Sequence, residues 1–119
     1  MLETFYSVIE KNIGQDSAKF DVRFNAQHPI FQGHFPTMPV VPGACMMQIA
    51  GELSVAALQQ NLRIVGAKNI KFLQVIYPNR TEIVTFDLSW EACDGGCEVK
   101  CSVMDGEKKY AAMQLILAD

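Results

Sequence analysis

Pro42-Gly43-Ala44-Cys45-Met46-Met47-Gln48-Ile49-Ala50-Gly51-Glu52-Leu53-Ser54-Val55-Ala56-Ala57-Leu58 is the stretch on which the fold turns. After Pro42-Gly43 its residues are apolar nearly all round, the pattern of a helix buried on every side. It lasts about 17 residues, or about 25 Å at about 1.5 Å per residue. Gln59-Gln60-Asn61 marks a wet end. Gln48 and Glu52 are the only long polar side chains in its first ten residues. Together with the Pro-Gly opening they argue against a membrane span over residues 40–58 and for a core helix.

Outward from the helix the period changes. Residues 6–13 read as a strand, turned by Gly14-Gln15-Asp16. Phe20, Val22 and Phe24 alternate with Asp21 and Arg23, a half-buried strand. Residues 25–42 read as one long loop, holding four of the five prolines; a loop of that length in a small domain is usually functional. After the helix, residues 64–77 read as one long strand or two, with Pro78-Asn79-Arg80 as the turn. Residues 82–92 follow, with Val84, Phe86, Leu88 and Trp90 on one face. Residues 97–104 return across Asp94-Gly95-Gly96, and residues 108–117 across Asp105-Gly106. Successive hairpins imply an antiparallel sheet. The whole predicts a single α+β domain, residues 1–119, with the sheet wrapped round one buried central helix. A helix face left uncovered by that sheet would need a second subunit.

A chain of 119 residues that is half hydrophobic can bury a real core without disulfides or a structural metal. Its net charge of −3, without a basic cluster, gives no basis for nucleic-acid binding. Residues 1–13 mix Glu3, Glu10 and Lys11 with apolar residues, which does not read as a signal peptide. The expected setting is therefore the cytoplasm, where Cys45, Cys93, Cys97 and Cys101 are free thiols. Cys97, Val99, Cys101 and Val103 alternate with polar residues, so Cys97 and Cys101 face a core; a disulfide from Cys93 to Cys97 across the turn is the alternative. No zinc-ligand spacing is present, and no metal or cofactor is expected.

The loop reads His28-Pro29-Ile30-Phe31-Gln32-Gly33-His34-Phe35-Pro36-Thr37-Met38-Pro39-Val40-Val41-Pro42-Gly43. Gly33 permits close backbone approach. His34 sits in a segment stiffened by proline. Gly43 opens the helix, where free N–H groups and the dipole favour a developing negative charge. A base beside such a position suits proton removal next to a carbonyl. A lone histidine is also compatible with an ordinary hydrogen-bonded residue, and His28 reads as one.

Gln32-Gly33-His34-Phe35-Pro36, then Pro39 and Pro42-Gly43 leading into an apolar helix, closely resembles the β-hydroxyacyl-acyl-carrier-protein dehydratases. The likeness extends through Ala67-Lys68-Asn69-Ile70-Lys71-Phe72, Tyr77-Pro78 and the closing hairpins, nearly the whole chain. It implies the hotdog fold and dehydration of 3-hydroxyacyl thioesters, borne by acyl carrier protein or coenzyme A, in fatty-acid or related lipid or pigment synthesis. It implies His34 as the base that takes the α-proton and the Gly43 N–H as the donor to the thioester oxygen. It also implies a homodimer or a multiple of dimers. Gly33, Phe35, Met38 and Met47 are the remaining candidate substrate contacts. Met38, Met46 and Met47 read either as core filling or as the lining of an acyl tunnel.

One departure stands out. The family's acid lies five residues after the helix glycine, and here that position is Gln48. Where the family tends to place a glutamine, this chain has Glu52. Positions four apart share a helix face. The pair reads either as a structural hydrogen bond or as a site in which Glu52, directly or through a water, supplies the proton. Two other activities stay open on these residues: a thioesterase with Glu52 as base or nucleophile, and a non-catalytic acyl-binding or partner subunit.

Overall fold

The computed structural model describes residues 5–33 and 38–119. Its elements are β1 (Tyr6–Ile13), β2 (Ser17–Phe24), α1 (Pro29–Gly33), α2 (Gly43–Leu58), β3 (Arg63–Phe72), β4 (Ile83–Cys93), β5 (Gly96–Asp105) and β6 (Lys108–Ala118). The strands form one antiparallel sheet in the order β1-β2-β4-β5-β6-β3.

Alternation builds the core face of this sheet. Phe20 pairs with Phe86, Phe86 with Val103 and Val103 with Ala111, so one buried row crosses four strands. Leu88, Cys101 and Met113 form the next row. Helix α2 lays Met46, Ile49, Ala50 and Leu53 into this face, the i, i+3, i+4, i+7 spacing of a helix stripe. Two tight hairpins close the sheet, with Gly95 at φ 76° and Gly106 at φ 61°, in the left-handed region that glycine enters at no steric cost. The second turn is Gly106-Glu107, one residue later than the sequence suggests.

Three expectations need correction. Helix α2 is not buried on every side. Ala44 and Ala56 are exposed, and Gln48, Glu52 and Val55 are half-buried, because one sheet covers one side of a helix. Residues 25–42 are not all loop. Pro29 takes the first helical position of α1, where its missing N–H costs nothing, and the Ile30 N–H donates to Nδ1 of His28 at 3.1 Å. The strand after α2 ends at Phe72 rather than running to Tyr77. Beyond it the N–H groups of Leu73 and Gln74 both donate to the Tyr110 carbonyl, at 2.8 and 3.2 Å, which ends the ladder.

The four cysteines are free thiols. Burial pushes the thiols of Cys97 and Cys101 up, which keeps them neutral in the core. No described helix is long and apolar enough to cross a membrane.

Candidate functional site

The approach to the site is fixed by aromatic packing. Phe31, fully buried, stacks on Phe5 with ring centroids 4.8 Å apart, and Phe5 meets Phe24 edge-on at 6.1 Å. His28 lies edge-on to Phe5 at 5.3 Å. These contacts tie α1 to the end of β2, so the chain leaves Gly33 from an anchored point. His34 and Phe35 follow it and lie outside the described residues. On the far side the chain is anchored again: the Val41 N–H donates to the Ile76 carbonyl at 2.9 Å.

Helix α2 then begins at Gly43 with no side-chain cap. The N–H groups of Cys45 and Met46 turn back to the Pro42 carbonyl, at 3.0 and 3.2 Å. Those of Gly43 and Ala44 take no partner among the described residues, as the geometry of a helix start dictates. The Phe72 ring sits against this start: a methyl group on Gly43 would lie 2.6 Å from its Cζ and 2.8 Å from its Cε2. Glycine here therefore admits both an open N–H and an aromatic wall, and Phe72 is itself half-exposed. Cys45 beside it is no ready nucleophile, since burial holds its thiol above the ordinary range.

Further along the same helix, Gln48 Nε2 donates to Glu52 Oε2 at 3.3 Å. Tyr6, at the start of β1, donates its hydroxyl to Glu52 Oε1 at 2.7 Å. Both carboxylate oxygens thus have a donor. Burial, then the hydrogen bond to Glu52 and the charge of Glu52, hold the Tyr6 phenol well above its usual range. It remains a donor throughout the neutral range. Gln48, Glu52, Val55, Leu62, Arg63 and Ile64 line an open groove of about 360 Å³ along the uncovered side of α2. A larger hollow of about 480 Å³ between β1 and β4 touches no residue of α2. Within it Thr85 donates to Asp21 at 2.7 Å and Lys19 lies 4.0 Å from Asp87.

The structure therefore brings Gln48 and Glu52 together on the helix that Gly43 opens. Met47 is half-buried against the core and Met38 is exposed. Among the described residues no cluster of three His, Cys, Asp or Glu side chains could hold a metal ion. Tyr6 and Phe72 are the contributors that sequence reasoning passes over. Phe72 lay within the family-like segment, whereas Tyr6 carried no signal beyond its strand.

A sequence profile of the ApeI-like family, described as ApeI dehydratase, matches residues 10–114. The 3-hydroxyacyl-[acyl-carrier-protein] dehydratase FabZ of Thermus thermophilus is 27% identical over 125 residues, covering 94% of this chain and 87% of the relative. The enzyme of the same name from Clostridium acetobutylicum is 29% identical over 99 residues, covering 77% and 69%. Among solved structures, a chain of the dehydratase heterocomplex ApeI:P from Xenorhabdus doucetiae superposes with a TM-score of 0.77 at 15% identity, over 95% of this chain and 97% of that one. The fold is the hotdog fold of such dehydratases.

Proposed function

We propose that this chain, which belongs to the ApeI-like dehydratase family, removes water from 3-hydroxyacyl thioesters to give trans-2-enoyl thioesters. The acyl carrier is acyl carrier protein, the carrier in the names of its FabZ relatives. His34 takes the proton from the carbon next to the thioester carbonyl. The Gly43 N–H, at the positive end of α2, receives the negative charge that builds on the carbonyl oxygen. Gln48 and Glu52 attend the 3-hydroxyl group as it leaves, with Glu52 as the proton source. Gly33, Phe35, Met38 and Met47 contact the acyl thioester.

The observation that carries this reading is the open helix start at Gly43 followed on the same helix by the Gln48–Glu52 pair facing a groove. An oxyanion donor and a proton donor on one rigid element suit an elimination that develops charge at both ends of the substrate.

We further propose that the working form is a homodimer or a multiple of dimers in the cytoplasm. Among the described residues strand β3 pairs only with β6, which leaves its outer edge open. Val65, Phe72, Leu73 and Val75 on and beyond that strand are about half exposed. A second copy along this edge would cover them and the bare side of α2.

The test is product analysis on a 3-hydroxyacyl-acyl-carrier-protein. Loss of one water with growth of enoyl absorbance supports the reading. Release of free thiol identifies a thioesterase instead. Absence of both identifies an acyl-binding subunit that works with a different chain, as the structural neighbour does in its heterocomplex.

A further inference from the structure

We propose that Tyr6 is a positioning residue for Glu52 in the dehydration step, acting by pinning one carboxyl oxygen so that the other carries the transferable proton. The inference rests on the dehydratase reading and extends it to a residue on another element. The two hydrogen bonds on Glu52 are unequal. Oε1 receives the Tyr6 hydroxyl at 2.7 Å, a full-strength bond. Oε2 receives the Gln48 amide at 3.3 Å, a long one. Oε1 is therefore committed, and Oε2, beside Gln48 in the groove, is the oxygen available to the substrate.

The proton balance follows. For the step Glu52 takes up a solvent proton on Oε2 and gives it to the 3-hydroxyl group. The carbon–oxygen bond breaks, water departs with the electron pair, and the pair left at the α-carbon when His34 removes its proton becomes the new double bond. Glu52 is then an anion, and the Tyr6 bond, now to a charged acceptor, is at its strongest. An interaction that grows as the reaction proceeds lowers the barrier rather than improving binding. The high pKa of the Tyr6 phenol fits this role, since the hydroxyl must hold its own proton while Glu52 loses one.

The experiment is a double-mutant cycle on the full-length protein with Tyr6→Phe, Glu52→Gln and the double variant, reading kcat, KM and melting temperature on one 3-hydroxyacyl thioester. Tyr6→Phe should lower kcat about tenfold and leave KM within about twofold, the size of one hydrogen bond to a charged group. In the Glu52→Gln background the same change should have no further effect on kcat, because the hydroxyl acts only through that carboxyl group. Should Tyr6→Phe lower the melting point, 4-fluorophenylalanine at position 6 fills the hydroxyl's place without donating and should show the same kinetic loss. Independent, multiplicative losses, or a loss confined to KM, overturn the role of Tyr6 while leaving the dehydratase assignment standing. A native chain that gives no enoyl product overturns the assignment and the role of Tyr6 with it.

Discussion

Restoring a carboxylate at position 48 puts two acids where the structure has an amide and an acid, and the consequence can be worked out. In the native chain Gln48 Nε2 lies 3.3 Å from Glu52 Oε2. Two unit charges at that separation repel by about 5 kcal/mol at an effective dielectric of about 20, and by about 1 kcal/mol at the value of water, about 80. The groove is open on one side and Arg63 lines it, so an intermediate penalty of about 2–3 kcal/mol is expected for Gln48→Glu. That corresponds to about two pH units on the titration of the pair, which will hold one proton between its two carboxyl groups. The folded-state pKa is raised above the ordinary glutamate value of about 4.3. The native fold then binds more protons than the unfolded chain, and stability falls as pH rises. Relative to the native chain, the variant should melt at nearly the same temperature near pH 4. It should lose ground between about pH 4 and 6, and settle roughly 10 °C lower at neutral pH. The assay is thermal unfolding at half-unit pH intervals for the native chain, Gln48→Glu, and Gln48→Glu combined with Glu52→Gln. The double variant has one carboxyl group again and should lose the pH-dependent part. A constant difference between native and Gln48→Glu from pH 4 to 8 would refute the reasoning, since the two side chains would then not face each other. Dehydration by Gln48→Glu should be kept or increased, because a shared proton near neutrality is what an acid catalyst needs.

His34→Ala should cut turnover by about 10²- to 10⁴-fold, the usual worth of a general base, with an unchanged melting curve; full activity in that variant would end the role of His34. Phe31→Ala removes a fully buried ring stacked on Phe5 and should cost about 3–5 kcal/mol by denaturant titration. A loss under about 1 kcal/mol would show that α1 is not anchored as described. Sedimentation at micromolar concentration should give a dimer or a multiple of it, and a monomer that turns over substrate would show the site to be complete in one chain.

Much of the fold was legible because it is written in local periods. The boundaries of β1 were read residue for residue, and the core faces of β2, β4 and β5 followed from strict alternation between Phe20 and Val103. The readings that failed did so where a local signal met a tertiary constraint. Small apolar residues all round α2 look like full burial, but one sheet reaches only the Met46–Ile49–Leu53 side. The apolar run after Phe72 looks like more strand, but the two N–H groups that turn to the Tyr110 carbonyl end the ladder there. Helix α1, opened by Pro29, is five residues long, too short to show a period among the prolines that follow it.

The site divides along the same line. Gln48 and Glu52 are four apart on a helix, so their pairing could be inferred from spacing alone. Tyr6 lies 46 residues from Glu52, on a strand that is exposed along almost its whole length and so carries no burial pattern. Only the closing of the sheet around α2 brings its hydroxyl to the carboxyl group. The two facts are physically connected. An acid moved one helical turn from the usual position, with a weak amide contact at 3.3 Å as its only local support, would swing freely in an open groove. A long-range donor at 2.7 Å supplies the restraint that the helix itself cannot. On the proposed reading, the exchanged pair works to the extent that β1 delivers Tyr6, which would tie the chemistry of the helix to the far edge of the sheet.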